Sequence, residues 1–506
     1  MRYLLSITLI AVGFCVAVAQ GTVTEKRIEF ESDEYFSSDG VVSFGEAGLV
    51  VRSRDNDKTD GGYRWHFRRY DTDLNLREEQ TIQLNKRLSL DESYISDDRI
   101  YSFFKDYKRG KFLLTDVNAD DFTINKLTGE LPKKAYTGSM VALGDRVFID
   151  ASIKKEPFVL TVDVVNGRQH LVPIQVRGYK PKHIRITNIQ TVEESREVFV
   201  FVRLIDGRKS SETFIVRLDE NGERIGESVL TRSIEENIVD ISANYISPGR
   251  YSYSGTYSTK KTSLSEGLFY CQVKDDKPEF FETYNFLDLE DFLSYLKERK
   301  QKKITRKKAR KKKAGKELKI NYRMASHNTI PTDDGYLFLG EAYYPTFRQV
   351  SYTTYTVVNG VSTPRTSYQS VFDGYRYTHA VVCKFDFQGK MVWDHSFEMW
   401  PASKPFYEKR FISLVESEDA VLKMIFASNG SIYTKALSDD GVVLQDDKGQ
   451  VIETGSENDK VRRSWSDLDY WYDNHFYAFG WQKIKNKEDD DVKRKRKVYF
   501  VNKVSF

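Results

Sequence analysis

The sequence predicts an all-β protein built from repeated four-stranded units, and three observations support this prediction. Tyr and Phe are abundant, with 31 and 32 copies in 506 residues, while Pro is scarce at 11; this mix favours strands with few breaks. A tight turn followed by a strand recurs along the chain. Each copy is followed by a strand, a turn and another strand, which makes the pattern a repeat.

The recurring element is a turn of acidic, Gly or small polar residues that leads into a strand. It occurs eight times, with strands that start near Leu49, Arg99, Arg146, Glu197, Arg250, Tyr336, Ala420 and His475. The strand-turn-strand that follows is clearest at 157–176, 213–230 and 379–399. Each unit spans roughly 45–55 residues, which matches the length and strand count of a propeller blade.

The two ends of the chain complete one unit. The last unit ends in KVYFVNKVSF and lacks an outer strand, which EKRIEFES at 25–32 can supply. Such pairing removes an open sheet edge. The sequence therefore predicts a single β-propeller over 20–506 with eight four-stranded blades, or seven if one weak unit belongs to its neighbour.

The outer hairpins carry a resemblance. CKFDFQGKMVW (383–393) and VRLDENGERI (216–225) resemble the outer hairpins of secreted bacterial β-propellers, particularly those of Bacteroidota-type envelope proteins. The resemblance is architectural and covers most of the mature chain. No WD40, kelch or Asp-box signature accompanies it, so it implies no functional residues, and fold does not imply function.

The N-terminus has the layout of a secretory signal peptide over 1–19. Arg2 precedes an apolar run from Leu4 to Val18, and Ala17-Val18-Ala19 forms a small-x-small cleavage site before Gln20. The alternative is an uncleaved anchor, but the run is short for a membrane span. The sequence thus predicts an exported protein, periplasmic or extracellular.

Two insertions break the repeat, at 287–319 and 345–377. In an up-and-down meander both fall at the same end of the blades, together with the long connections 53–63 and 483–497. Long elaborations gathered at one end favour a working face. The alternative is that these connections simply tolerate insertion.

The first insertion is strongly basic. The formal charge of the chain is +4, yet 297–319 alone holds 14 Lys or Arg and 2 Glu, so an acidic body of about −8 carries a basic appendage of about +12. An apolar stripe predicts a helix, capped by Asp288, that docks on the propeller or a partner; it comprises Leu289, Phe292, Leu293 and Leu296. We expect the remainder to be a partly disordered arm.

The arm predicts contacts with anions. Its candidate residues are Arg306, Lys307, Lys308 and Arg310. No aromatic residue occurs between 297 and 319, which makes nucleic acid unlikely because base stacking needs aromatic rings. The expected partners are envelope anions, namely lipid phosphate, lipopolysaccharide or acidic glycan, or else an envelope protein. A solvated loop of no specific function is an equal alternative.

The second insertion predicts a long β-hairpin over 350–372. Asn359-Gly360 is a type I′ turn signal between alternating Tyr, Thr and Val. The hairpin projects Tyr352, Tyr355 and Tyr368, whose amphipathic rings suit protein or glycan contact. The alternative is a hairpin that lies across adjacent loops.

A polar pocket is predicted where the first strands line a central channel. His183 and His327 lie near the starts of such strands, and Asp240, Arg323 and Arg410 fall in comparable positions. Together they suit an anion or a glycan. The alternative is that they only line the channel, as most such residues in propellers do. No catalytic residue is assigned, and neither a metal site nor a cofactor is predicted, since HExxH, GxSxG and phosphate-loop motifs are absent.

Cys271 and Cys383 occupy equivalent third-strand positions. Packed sheets lie about 10 Å apart, beyond the reach of a disulfide. We therefore predict two free, buried thiols.

These patterns favour a non-catalytic exported propeller that acts as a binding or scaffold module in the cell envelope. One alternative is a glycan-active hydrolase or lyase at the channel mouth, which perturbed acid groups there would favour and an apolar plug would exclude. Another is structural assembly through the face of Leu289, Phe292 and Leu296, which exposure of that face would support.

Overall fold

The computed structural model describes residues 22–31, 34–36, 40–59, 61–96, 98–206, 210–230, 236–260, 262–358, 361–399, 401, 403–416, 421–446, 449–489 and 493–506. Within these ranges the chain forms eight antiparallel sheets, one α-helix (α1, Glu298–Lys313) and three short 3-10 helices (Gly45–Ala47, Pro181–His183 and Glu193–Ser195). The predicted signal peptide, the strand start at Ala420 and the Asn359-Gly360 turn lie outside the described residues.

The first four sheets follow the chain in order. Sheet 1 comprises Glu34–Tyr35, Val41–Ser43, Leu49–Asp55, Gly62–Tyr70 and Leu76–Asn85. Sheet 2 comprises Ser89–Ile95, Arg99–Lys105, Lys111–Asn118 and Ile124–Glu130. Sheet 3 comprises Tyr136–Leu143, Arg146–Ile153, Glu156–Asp163 and Gln169–Pro173. Sheet 4 comprises Ile184–Val192, Glu197–Asp206, Ser210–Asp219 and Arg224–Val229.

The remaining sheets continue the same order. Sheet 5 comprises Asn237–Ser247, Arg250–Ser258, Gly267–Lys274 and Lys277–Asn285. Sheet 6 comprises Arg323–Ser326, Ile330–Thr332, Gly335–Val358, Val361–Asp386 and Met391–Glu398. Sheet 7 comprises Ser413–Glu416, Leu422–Ser428, Ser431–Leu437, Val443–Asp446 and Gln450–Val451. Sheet 8 comprises Lys460–Tyr472, His475–Lys485, Lys495–Ser505 and, as its outer strand, Val23–Glu31 from the start of the chain.

The eight sheets pack as a closed ring. In the described residues each apolar cluster joins two consecutive sheets, as where Trp65 of sheet 1 meets Phe104 of sheet 2 edge to face. The same arrangement continues around the chain through seven interfaces. A further cluster packs Tyr499 of sheet 8 on sheet 1 and on Phe36, which follows the Glu34–Tyr35 strand of sheet 1. This contact closes the ring. The hydrophobic core is therefore distributed between the sheets.

The first strand of each sheet lies nearest the centre. The first strands of sheets 2, 3, 4 and 5 contact one another in succession, as expected where sheets converge on an axis. Connections between second and third strands, and between one sheet and the next, meet at one end of the ring. Ser265, between the second and third strands of sheet 5, bridges to Tyr322, which precedes sheet 6. We call this end the insertion face.

The helix lies in a different place from the predicted one. Residues 288–296 form turns, while α1 covers the basic segment that was expected to be partly disordered. Lys, Arg, Gln and Ala have high helix propensity, so this segment needs no apolar face to be helical. Gly315, at φ +65°, ends the helix; the Gly315 amide donates to Lys312 O and the Lys316 amide to Lys311 O, both at 3.0 Å, a Schellman motif.

The apolar residues before α1 dock on the ring instead of forming a helix. Leu289 and Phe292 are buried in the cluster between sheets 5 and 6. The amides of Glu290 and Asp291 donate to the Asp394 carboxylate at 2.8 and 2.9 Å. These contacts fix the turns, and they remove the exposed face that a structural-assembly function would need.

The two cysteines agree with the sequence prediction. Cys271 and Cys383 are free and buried. Burial raises the pKa of the Cys271 thiol to about 12 and that of Cys383 well above its ordinary value.

Candidate functional site

The channel mouth on the insertion face brings together three of the five residues that the sequence singled out for it. Asp240, His327 and Arg410 line one small pocket of about 10 Å³, room for about one water molecule. Arg323 begins the first strand of sheet 6 beside them. His183 ends the 3-10 helix before sheet 4 and is not among the residues that line this pocket.

A β-bulge in a first strand positions Asp240. The register of sheet 5 shifts between Ile238 and Asp240, and the Asp240 carboxylate accepts a hydrogen bond from the next amide, Ile241 N, at 3.0 Å. Asn188 in sheet 4 makes the same contact with Ile189 N at 2.9 Å, after a shift between Ile186 and Asn188. Bulges re-aim side chains in this way beside functional sites.

His327 is oriented by a buried carboxylate. Its Nε2 lies 2.8 Å from Glu341 Oε1, and Glu341 is fully buried. Glu341 also accepts hydrogen bonds from Phe411 N and Ile412 N. With Glu341 ionised, Nε2 carries the imidazole proton, which leaves Nδ1 as the acceptor.

Glu408 is the site residue that sequence analysis missed. Tyr343 donates its hydroxyl proton to Glu408 Oε2 at 2.6 Å. Neighbouring protein atoms partly desolvate the Glu408 carboxyl and raise its pKa, although the residue is exposed. The Asp240 charge raises this pKa further, while the Tyr343 hydrogen bond and the Arg410 and Arg323 charges lower it. Glu408 lies two residues before Arg410, so the position of Arg410 was the available signal.

Asp240 also has a raised pKa. Burial is the main cause, and the Ser326 hydroxyl and the Arg410 guanidinium oppose it. Arg410 donates through Nε to Ser326 O at 2.8 Å. Asp240 and Glu408 are therefore mutually interacting carboxylates flanked by guanidinium groups, and Asp240 lines the pocket.

Aromatic rings connect this mouth to the hairpin of sheet 6. Tyr343 packs on Tyr377 with centroids 5.2 Å apart and on Tyr375 at 4.9 Å. Tyr375 contacts Phe372 at 5.0 Å, and Phe372 contacts Phe406 at 5.7 Å. An aromatic wall thus runs from the channel mouth to the base of the hairpin.

The hairpin extends well beyond its sheet. Its strands pair from Gly335 opposite Asp386 to Val358 opposite Val361, with register shifts between Ala342 and Tyr343 and between Pro345 and Phe347. The predicted contact residues are exposed, Tyr352 by 50%, Tyr355 by 70% and Tyr368 by 72%. Register places Tyr355 and Tyr368 on one face and Tyr352 on the other, so the three cannot form a single contact surface.

Helix α1 presents most of its charge to solvent. It contains eleven Lys or Arg and one Glu, a net charge of +10, and no buried residue. Of the predicted contact residues, Arg306, Lys307 and Arg310 are exposed. Lys308 instead donates to Leu287 O and to Asp288 Oδ1, so it fastens the helix to the ring.

The described part of the chain contains no group of three or more His, Cys, Asp or Glu placed to hold a metal ion. No helix within it is long and apolar enough to cross a membrane.

No protein-family model and no curated protein matches the chain. Solved structures do match it. The Dos1 propeller is 12% identical with a TM-score of 0.41, covering 84% of this chain and 85% of that one. The Nup133 β-propeller domain of Vanderwaltozyma polyspora is 10% identical with a TM-score of 0.39, covering 81% and 100%. The polysaccharide lyase Uly1 is 10% identical with a TM-score of 0.39, covering 95% and 99%.

A prolyl endopeptidase structure also matches, at 9% identity and a TM-score of 0.38, and this chain spans 50% of its length. Similarity at this level supports no functional assignment. The class of the protein follows from its own topology: antiparallel sheets, mostly four-stranded, packed face to face in a closed ring with their first strands at the centre define a β-propeller.

Proposed function

We propose that the chain is an exported, eight-bladed β-propeller that acts as a non-catalytic binding or scaffold module in the cell envelope. The observation that carries this proposal is the presence of two long, solvent-exposed elements, α1 and the hairpin of sheet 6, at one end of the ring. A rigid scaffold that holds its elaborations together at one end is typical of a binding protein.

Contacts at their bases support placing both elements on the insertion face. Lys319, after α1, lies 3.5 Å from Glu266, which lies between the second and third strands of sheet 5. Tyr375, at the base of the hairpin, donates its amide proton to Pro405 O in the connection to sheet 7, at 2.8 Å. Both contacts involve connections between second and third strands or between consecutive sheets, and these connections define the insertion face.

Charge identifies the class of partner. Helix α1 concentrates +10 on a chain whose formal charge is +4. Because its apolar content is small and none of it is buried, the helix attracts anions without inserting into lipid. Lipid phosphate, lipopolysaccharide and acidic glycan are the anions available to an exported protein, and the export step rests on the N-terminal sequence pattern.

The test measures binding of the mature protein, from Gln20 onward, to vesicles that contain lipopolysaccharide or phosphatidylglycerol, across a salt series. The variant replaces Arg306, Lys307 and Arg310 with Gln and leaves the anchoring Lys308 intact. We expect binding that weakens steeply with salt and falls in the variant.

The matched control replaces three exposed lysines at the opposite end of the ring with Gln, namely Lys274, Lys277 and Lys390. It should bind like the unmodified protein. Equal, negligible binding by all three proteins would overturn the proposal.

A second candidate is a glycan-active hydrolase or lyase at the channel mouth. The observation that favours it is the pair of Asp240 and Glu408, whose carboxyl pKa values are both raised and whose charges interact. Paired carboxylates with raised pKa values are the groups that glycosidic bond cleavage uses. Release of reducing ends or unsaturated sugars from acidic polysaccharides, lost in Glu408→Gln, would support it; equal release by both proteins would exclude this site.

A further inference from the structure

Sheet 8 carries two rows of like charges near the insertion face. Lys460 lies opposite Lys485, and Lys485 lies opposite Lys495 on the next strand. One step along the sheet, Arg463 lies opposite Lys483, and Lys483 lies opposite Lys497. We call these six residues the sheet 8 patch.

All six side chains share one face of the sheet. Residues directly opposite each other share a face, and so do Lys483 and Lys485, two positions apart on one strand. Ile484, between them, is buried on the other side. Five of the six are exposed, and Lys485 is half-buried. Neighbouring strands are about 4.8 Å apart and alternate residues about 6.7 Å apart, so six cations occupy a compact grid.

Two nearby acidic groups are engaged elsewhere. Asp459 pairs with Arg496 on the opposite face at 2.6 Å, and Asp489 accepts hydrogen bonds from Ser456, Asn458 and Asn486. Within the described residues the six cations make no ion pair; Lys497 lies over the Trp481 ring, 4.0 Å from its centroid.

This arrangement is unfavourable in the protein alone. Like charges directly opposite one another in a sheet are destabilising. Repulsion from Lys487, the largest cause, together with Arg462, Arg494 and Lys495, lowers the pKa of Lys485. Like charges arranged at this cost, with no ion pair among the described residues, are expected where an anionic partner supplies the counter-charge.

We propose that the sheet 8 patch is a second contact for an anionic lipid surface and binds its phosphate groups together with α1. This inference rests on the proposed function and deepens it. The patch borders the connection between the second and third strands of sheet 8, which places it on the insertion face with α1. Sheets 6 and 7 separate the two cationic sites along the ring, so a flat surface reaches both, whereas a small soluble anion reaches one.

Two linked contacts bind more tightly than either contact alone, because the second binds at a high effective concentration once the first has formed. Each Lys beside an anionic membrane contributes roughly fivefold in affinity. Neutralising three patch lysines should therefore weaken vesicle binding roughly 100-fold.

The test uses the mature full-length protein with Lys483→Gln, Lys485→Gln and Lys495→Gln combined. Partitioning is measured on vesicles of phosphatidylcholine mixed with phosphatidylglycerol. The Lys274, Lys277 and Lys390 triple variant is the control for net charge, and inositol hexakisphosphate is the soluble phosphate probe. We expect weaker partitioning of the patch variant alone, with a melting temperature no lower than that of the unmodified protein, since repulsion is relieved.

The outcomes separate the two proposals. If the patch variant binds like the unmodified protein while the α1 variant loses binding, the patch inference is overturned and the proposed function stands. An equal loss in the opposite-end control overturns it too, as does tight patch-dependent binding of inositol hexakisphosphate that α1 does not influence. If neither the variants nor the unmodified protein bind vesicles, both proposals fail together.

Discussion

The imidazole of His379 stacks on the phenol ring of Tyr295, with centroids 3.6 Å apart and planes at 6°. Phe292 and Tyr322 pack edge-on against the same imidazole at 5.3 and 5.1 Å. His379 begins the inner part of the returning hairpin strand. Tyr295 and Phe292 belong to the insertion that carries α1, and Tyr322 follows that insertion. One buried histidine therefore joins both elaborations of the insertion face.

We expect His379→Phe to make stability less dependent on pH. Burial lowers the pKa of His379 to about 3, below its unfolded value of about 6.5. Between these values the unfolded chain binds the extra proton, so stability is lost as pH falls below about 6.5. Thermal and urea unfolding from about pH 7 to about pH 5 should show roughly 2 kcal/mol less loss in the variant.

The matched control for this prediction is His170→Phe, at an exposed position. It should keep the pH dependence of the unmodified protein. Identical pH profiles for the unmodified protein and His379→Phe would show that His379 is not buried as a neutral group.

Phe36→Ala should weaken closure of the ring. Phe36 is 3% exposed and stacks on Tyr499 at 4.2 Å, within the cluster that joins sheet 8 to sheet 1. Removing a buried ring of this kind costs about 3–5 kcal/mol in the free energy of unfolding. Urea denaturation measures this loss.

Phe347→Ala, at a 61% exposed hairpin position, is the control and should change stability by about 0.5 kcal/mol or less. If both variants unfold at the same urea concentration, the interface between sheets 8 and 1 does not hold the ring closed.

Glu341→Gln should destabilise the junction of sheets 6 and 7. The buried carboxylate accepts hydrogen bonds from Phe411 N at 2.8 Å and Ile412 N at 2.9 Å and holds His327. An amide keeps an acceptor at Oε1 but loses the charge and places its amino group against the Phe411 amide, which lies 3.0 Å from Oε2, so we expect a loss of about 1–3 kcal/mol. Hydrogen exchange of the Phe411 and Ile412 amides should accelerate in the variant.

The surface residue Glu130, 3.8 Å from Lys111, provides the control, and Glu130→Gln should leave stability and exchange nearly unchanged. Unaltered exchange at Phe411 and Ile412 in Glu341→Gln would contradict the predicted contribution of this carboxylate.

The two cysteines should react with a thiol reagent only when the protein unfolds. Burial raises both thiol pKa values, so the reactive thiolate is scarce and inaccessible in the folded state. Titration with a chromogenic disulfide should count two thiols in the denatured mature chain and almost none in the native one. Rapid native labelling at either position would contradict the burial of that strand.

Sequence reasoning located the strands better than the insertion. The recurring turns of acidic, Gly or small polar residues identified the strands that follow them, since strands of the structure begin at Leu49, Arg99, Arg146, Glu197, Arg250 and His475. Each of these strands pairs with neighbours close in the chain, so local pattern carries most of the information.

The helix was misplaced because two signals conflicted. The stripe of Leu289, Phe292, Leu293 and Leu296 has helical spacing, but the Asp394 carboxylate and the ring pocket around Phe292 favour turns instead. The segment with the highest intrinsic helix propensity follows it. Tertiary contacts determine the conformation of residues 288–296, and local helix propensity determines that of α1.

The candidate site could be predicted only in part. Asp240, His327 and Arg410 share positions near the starts of first strands, which a repeat register reveals. Glu408 belongs to the site because it accepts a hydrogen bond from Tyr343. The rows of the sheet 8 patch depend on the register between three strands. Such relationships are set by pairing across the sheet and are not visible in a single stretch of sequence.

The pairing of Val23 with Ser505 has a consequence for the order of folding. Sheets 2 to 7 each form from residues close in the chain and can assemble as soon as their own strands exist. Sheet 8 requires its first and last residues to meet across nearly the whole chain, the contact with the greatest loop-closure cost. We therefore expect ring closure to be the last and slowest step of folding, with the edge of the Lys495–Ser505 strand open to other chains until then.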